Sequence, residues 1–116
     1  MNSLADVCRE LTWGQLVAWS NKSAVLEGRK LQQKGAVKKL MRASKGEGLL
    51  AWVEVEEPFA VLVEMEYGEF FAKCSCNPII YPCEHAVAVI IQYIVYLKRN
   101  SPVPEAKPND PRLYLV

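Results

Sequence analysis

The feature that most constrains this chain is a cluster of cysteine and histidine between residues 73 and 89. The stretch reads KCSCNPIIYPCEHAVAV and holds Cys74, Cys76, Cys83 and His85 at the spacing C-x-C-x6-C-x-H. Three soft thiolates and one imidazole make the closed tetrahedral donor set of structural Zn²⁺ sites. The spacing therefore predicts one structural zinc ion held by these four side chains.

The two halves of the cluster are predicted to lie on different elements of secondary structure. If Cys74 and Cys76 close a strand, residues two apart project to the same face, so both sulfurs can face one ion. The apolar run after His85 predicts that a helix begins there. Because residues two apart in a helix point to nearly opposite sides, we expect Cys83 at the helix cap and His85 in the first turn.

Two other interpretations of the cysteines are weaker. One takes them as unrelated buried side chains beside a core histidine, but clustered Cys and His are better explained as metal ligands. The other is a disulfide framework, which requires an oxidising compartment. The N-terminus MNSLADVCRELT does not read as a secretory signal, so we expect a cytoplasmic protein. Cys8, outside the cluster, is predicted to be a small buried hydrophobe.

The spacing resembles that of the SWIM zinc finger, C-x-C, a variable gap, then C-x-H, and all four ligand positions match. The six-residue gap is at the short end for that family. The preceding segment is similar to that of bacterial SWIM-containing proteins, with Leu-Thr-Trp at 11–13, then a basic helix bearing a glycine, although Leu31 and Gln32 stand where those relatives place aromatic residues. The resemblance implies a module of a longer protein that binds DNA or a protein partner, since SWIM domains occur beside Swi/Snf-type ATPases and in MuDR-like transposases.

Residue patterning predicts an α+β fold in this 116-residue chain. Two N-terminal helices are expected, the first over 3–20 in one or two pieces, with Thr12 and Gln15 forming a capping box, and the second over 23–34. Period-two patterning then predicts an antiparallel four-stranded meander, and the zinc site would join its last strand to a C-terminal helix that covers the apolar face of the sheet. The expected strands are 37–43, 49–55, 59–67 and 70–76, and the expected helix is 85–99.

Two details of the N-terminal helices lead to specific expectations. Trp13, Leu16 and Val17 fall on one helical face, which favours core packing for this tryptophan over a role in binding haem or stacking bases. Gly28 interrupts the second helix at a cost of about 1 kcal/mol relative to alanine. A close crossing between the backbone of this helix and that of a neighbouring element would explain a glycine at this position.

The chain divides into a zinc-binding domain over 1–100 and a Pro-rich tail over 101–116. The finger proper is expected at about 59–98, with the N-terminal helices as an extension. Four of the seven prolines lie between 102 and 111. Such composition is typical of an extended linker. The apolar residues at 113–116 then either lead into more protein, which the resemblance favours, or dock on the body of the domain.

Charge is segregated along the chain although the formal net charge is only +1. Basic residues dominate from 22 to 45, and every charged residue from 47 to 69 is a glutamate. The two stretches can simply be solvated faces that attract each other, or the basic one can be a surface for phosphates. On the second interpretation the candidate nucleic-acid-binding residues are Lys30, Lys34, Lys38, Lys39 and Arg42.

No pattern in the sequence favours an enzyme. The donor set leaves no open position on the metal, and the chain has no second histidine to act as a base. We also expect no small-molecule substrate and no membrane span, because the longest uncharged apolar run, 86–97, is too short. Three functions remain, in this order: DNA binding, protein–protein interaction, and a redox switch in which oxidation of Cys74 and Cys76 releases zinc.

Overall fold

The computed structural model describes residues 3–76 and 82–116, which form helices and one sheet in a simple order. Three helices come first, a four-stranded antiparallel sheet with strand order β1-β2-β3-β4 follows, and two helices close the chain. The elements are α1 (Leu4–Arg9), α2 (Trp13–Trp19), α3 (Lys22–Gln33), β1 (Val37–Arg42), β2 (Glu47–Glu54), β3 (Pro58–Glu66), β4 (Glu69–Cys74), α4 (Glu84–Lys98) and α5 (Arg112–Leu115). The predicted α+β fold is confirmed.

Capping residues explain where the N-terminal helices begin. The predicted capping box is present: Gln15 N–H donates to Thr12 Oγ1 at 3.1 Å, and Thr12 N–H donates to Gln15 Oε1 at 2.9 Å. This box starts α2 and so splits the first predicted helix into α1 and α2. The third helix begins at Lys22, earlier than expected, because Asn21 caps it by accepting from the Ala24 N–H at 2.8 Å.

Helix α4 is the centre of the molecule. It is buried on most of its surface from His85 to Tyr93, with α3 and α1 on one side and the sheet on the other. The inner face of the sheet supplies alternate apolar residues to this core, among them Leu49, Val53 and Val63. Burial of that apolar area is the main term that stabilises the fold. The expectation that this helix covers the meander is confirmed.

The close helix crossing predicted from Gly28 is present between α3 and α4. A Cβ built on Gly28 would lie 2.8 Å from Val87 Cγ1 and 2.9 Å from the Glu84 carbonyl oxygen. Real Cβ atoms do not approach other heavy atoms so closely. Glycine therefore lets α3 pack directly onto the first turn of α4.

The tail at 101–116 docks on the outer face of the sheet, the second of the two alternatives for its apolar end. Ala106 packs there with Leu50 and Leu62. The tail also pairs with β1, because Arg42 N–H donates to the Pro104 carbonyl at 2.8 Å and Ala106 N–H donates to the Arg42 carbonyl at 2.7 Å. This segment is therefore not a free linker, because apolar residues within the Pro-rich stretch pack against the sheet.

A buried ion pair fastens the end of the tail. Arg112, only 2% exposed, donates through Nη2 and Nε to the two carboxylate oxygens of Asp110, at 2.7 and 2.9 Å. Its Nη1 donates to the Lys39 carbonyl at 2.6 Å. Lys39 sits at an irregularity in β1 with φ +50°, so the tail holds a strained part of that strand.

Trp13 is not a core residue, contrary to the expectation from helical periodicity. Its side chain is 53% exposed, whereas Leu16 on the same short helix is buried. The guanidinium of Arg29 lies over the indole, 5.4 Å from the ring centroid. A seven-residue helix presents too narrow a face to bury every apolar side chain, and the indole is instead covered by a cation from α3.

Candidate metal centre

The four predicted ligands come together at one end of the sheet. Cys74 is the last residue of β4, Cys76 lies in the turn that follows, Cys83 is the N-cap of α4, and His85 lies in the first turn of that helix. Their ligand atoms all lie within 4.8 Å of one another. The expectation that Cys76 would be part of the strand is wrong, because β4 ends at Cys74.

The distances from His85 Nδ1 to two of the sulfurs are close to the edge of a zinc tetrahedron. Bonds of about 2.3 Å to sulfur and about 2.0–2.1 Å to nitrogen imply roughly 3.6 Å between a sulfur and a nitrogen ligand. His85 Nδ1 lies 3.5 Å from Cys74 Sγ and 3.9 Å from Cys83 Sγ. Nδ1 is thus the ring nitrogen turned toward the sulfurs. The donor set and its spacing fit one structural zinc ion.

Helix geometry places the second pair of ligands as predicted. Cys83 has extended backbone angles, φ −83° and ψ 169°, and its carbonyl accepts from the Val87 N–H at 3.2 Å, the first hydrogen bond of α4. Residue 83 therefore stands outside the helical spiral while residue 85 is inside it. This difference allows two side chains at i and i+2 to reach one point.

Neighbouring residues orient the ligands. The ring of Phe59 stacks on the His85 imidazole, with centroids 4.6 Å apart and an interplanar angle of 25°. Ser75 ties the ligand turn to β3: its N–H donates to the Ala60 carbonyl at 2.9 Å, and its Oγ accepts from the Ala60 N–H at 2.8 Å. Partners of this kind fix ring orientation and ligand position in metal sites. Neither contact is indicated by the sequence pattern, although Phe59 lies in the strand predicted at 59–67.

The thiols differ in acidity. A hydrogen bond from Cys74, assisted by His85 and the Ala86 N–H, lowers the pKa of Cys83 to about 4 against the opposing effect of burial. The same hydrogen bond to Cys83, together with burial, raises the pKa of Cys74. Burial raises the pKa of Cys76. The hydrogen bond between the two thiols therefore favours the thiolate on Cys83 over that on Cys74, and a bound cation would favour ionisation of all three cysteines.

The five predicted nucleic-acid-binding residues lie in one stretch of chain but in different surroundings. Lys34 caps the C-terminus of α3, and Lys38 and Lys39 are exposed at the irregularity in β1. Lys30 is paired with Glu27 at 3.3 Å. Arg42 Nε donates to the Val103 carbonyl at 3.0 Å, so this guanidinium helps to hold the tail.

Cys8 is fully buried, as predicted, and burial raises the pKa of its thiol to about 12. It lies on α1 in the core and takes no part in the metal cluster. Within the described residues, no helix is both long and apolar enough to cross a membrane.

Comparison with known families agrees with the geometry of the site. The family model of the SWIM zinc finger matches residues 53–94, which run from the end of β2 to the middle of α4 and include all four ligands. No curated protein and no solved structure gives a significant match to the chain. The matched segment carries the C-x-C and C-x-H pairs, and the fold brings their side chains together around one point. Residues 53–94 of this chain are a SWIM zinc finger.

Proposed function

We propose that this domain is a non-catalytic module in which zinc stabilises the fold and a basic surface binds nucleic acid, with DNA as the favoured ligand. The observation that carries the proposal is the group of exposed lysines Lys34, Lys38 and Lys39 where α3 leads into β1. Phosphate contacts from lysine and arginine supply most of the affinity in non-specific DNA binding. The family resemblance, which implies DNA or protein partners, supports the same function.

The backbone around these lysines is held firmly. Gly35, at φ +76°, ends α3 in the left-handed conformation that glycine adopts without cost. The Lys39 carbonyl accepts from the buried Arg112 side chain. A backbone held in this way reduces the conformational entropy that is lost when the lysines bind phosphates.

The proposed role for zinc is structural. Four protein donors fill a tetrahedral shell, whereas catalytic zinc sites keep one position for water or substrate. When bound, the ion links the end of β4 to the start of α4 and so connects the sheet to the central helix. On this proposal the metal positions the module and takes no part in a reaction.

Fluorescence anisotropy with labelled duplex DNA tests the proposal. Binding should weaken steeply as the salt concentration rises. The triple variant Lys34→Gln, Lys38→Gln and Lys39→Gln should make the slope of log K against log salt less steep by up to about 2.7, or about 0.9 for each lost phosphate contact. The control is the triple change Lys73→Gln, Lys98→Gln and Lys107→Gln, which removes the same charge from exposed positions elsewhere. Equal effects of the two triple variants, or no binding at low salt, would exclude this surface.

A protein partner is the second candidate function. The observation in its favour is the run of glutamates from 47 to 69, most of which are exposed on the strands and hairpins of the sheet. A negatively charged face steers association with basic partners. Retention of a purified partner after nuclease treatment would favour this function, and its loss would favour a nucleic-acid bridge.

A further inference from the structure

A groove of about 550 Å³ lies between the N-terminal helices and the β3–β4 hairpin. Its lining combines carboxylates with apolar and aromatic side chains, including Glu10, Leu11, Trp19, Glu69 and Phe70. Among the described residues, neither Glu10 nor Glu69 takes part in an ion pair, and no lysine or arginine lines the groove. The groove is therefore acidic and has an aromatic wall.

The aromatic wall is rigid. Trp19 Nε1–H donates to the Phe70 carbonyl at 3.0 Å. The two rings also meet edge to face, with centroids 5.8 Å apart and an interplanar angle of 71°. A ring held in this way offers a fixed π surface to a ligand at little entropic cost.

The hairpin beside the groove has features that weaken its own fold. Tyr67 is 98% exposed and adopts φ +52° in the two-residue turn, a position for which asparagine, aspartate and glycine are the favoured residues. Glu66 and Glu69 are direct partners across the strands, and like charges at such positions repel. Local choices that oppose the fold are expected mainly at functional sites. These residues therefore lower the stability of the hairpin, which favours a role for it in binding a partner.

We propose that this groove binds a basic segment of a protein partner and receives an arginine side chain between its carboxylates and aromatic rings. A guanidinium can pair with Glu10 or Glu69 and stack on an aromatic face at the same time, which an ammonium does less well. Tyrosine and tryptophan are also the residues that most often dominate binding energy at interfaces. The proposal does not depend on nucleic-acid binding. It rests on the second candidate function, a protein partner, and states where that partner would bind and which side chain it would insert.

Tryptophan indole N–H signals in a ¹H–¹⁵N correlation spectrum report on the groove directly. The zinc-loaded full chain is titrated with a peptide in which three arginines alternate with glycine. The Trp19 signal should shift, whereas those of Trp13 and Trp52, which lie outside the groove, should stay in place. The same peptide with citrulline in place of arginine keeps the shape without the charge and should bind at least tenfold more weakly. Uniform shifts, or equal binding of both peptides, would overturn the proposal.

A pair of charge-matched variants separates the groove from general electrostatic attraction. Glu10→Gln with Glu69→Gln should weaken binding of the fluorescein-labelled arginine peptide about tenfold in anisotropy. Glu56→Gln with Glu57→Gln removes the same charge from the exposed loop between β2 and β3 and should change the affinity less than twofold. Equal losses in the two double variants would show that only net charge matters, which is incompatible with a groove.

Tyr67→Asn gives a further test, in which stability and binding should move in opposite directions. Asparagine tolerates the left-handed conformation, so the thermal midpoint should rise by about 2–4 °C. Tyr67 is next in the chain to Gly68, which lines the groove, so loss of the ring should lower the affinity for the arginine peptide severalfold. A variant that is more stable and binds as tightly as the original would contradict the proposal that this strained hairpin is kept for binding.

Discussion

Gly28 of α3 lies directly against Val87 of α4, so that a Cβ at residue 28 would stand 2.8 Å from the valine Cγ1. The second obstacle is the Glu84 carbonyl, a backbone atom that cannot move without shifting the first turn of α4. His85 lies in that same turn. The contact between α3 and α4 thus helps to fix the position of the zinc ligand His85, although Gly28 is not part of the metal site.

Gly28→Ala should destabilise the protein by about 1–3 kcal/mol, because overpacking at this crossing exceeds the gain in helix propensity. Zinc affinity should fall with it, since the first turn of α4 is displaced. Gly14→Ala is the control: its Cβ would meet only Thr12 Oγ1, at 3.9 Å, so it should leave stability unchanged or raise it by up to about 1 kcal/mol. Urea unfolding and competition with a zinc chelator measure the two effects. A Gly28→Ala protein as stable as the original would contradict the observed crossing.

Removal of zinc should unfold at least the segment 70–89, because structural zinc can contribute about 10 kcal/mol or more to folding in small zinc domains. Native mass spectrometry should find one zinc per chain, and Cys76→Ala should lower that content. The thermal midpoint should fall on chelation and recover when zinc is returned. An apo protein that melts at the temperature of the holo protein would rule out a structural role for the ion.

Phe59→Ala should lower zinc affinity about tenfold or more while leaving the four ligands in place, since its ring orients the His85 imidazole. Phe71→Ala is the matched control, because it removes the same side chain from an exposed position on β4 where the ring is 52% exposed. Chelator competition should separate the two variants. Equal zinc affinities would mean that the stacked ring does not position the ligand.

The ion pair between Asp110 and Arg112 should make stability depend on pH. The hydrogen bonds from Arg112 lower the pKa of Asp110 below the value of about 3.9 expected in the unfolded chain. The pair therefore stabilises the fold above that pH, and its contribution is lost as the pH falls through the lower folded pKa.

Asp110→Asn should cost about 2–4 kcal/mol near pH 7, because it leaves a buried guanidinium without its charge partner. The difference from the original protein should shrink below about pH 4. Comparing both proteins at each pH removes the effect of acid on the zinc site, which they share. Glu27→Gln is the control, since its pair with Lys30 is exposed on both sides and should be worth less than about 0.5 kcal/mol. If the difference in stability between Asp110→Asn and the original protein stayed constant with pH, the ion pair would not be the source of the pH dependence.

Much of the fold and all four members of the metal cluster could be predicted because their signals are local. Spacing within C-x-C and C-x-H limits where the ligands can sit, and the i, i+2 geometry of a helix requires Cys83 to be a cap. Alternation along β3 and the capping box at Thr12 are likewise set by near neighbours in the sequence. Such patterns depend on backbone geometry alone.

The remaining features depend on contacts between distant parts of the chain. Arg112 meets the Lys39 carbonyl across 73 positions, and no local pattern indicates that a Pro-rich segment will dock there. The contact of Trp13 with Arg29 joins two different helices. The stack of Phe59 on His85 joins a strand to a helix and becomes visible only when both elements are placed.

The two-residue turn at Tyr67-Gly68 has a consequence for how the chain reaches its native state. It sets the pairing of β3 with β4, and Cys74 is the final residue of that pairing, opposite Val61. A one-residue slip would turn the Cys74 sulfur to the other face of the sheet, away from the imidazole. A misaligned hairpin therefore cannot complete the zinc shell, so zinc binding would stabilise only the correctly aligned pairing of β3 with β4.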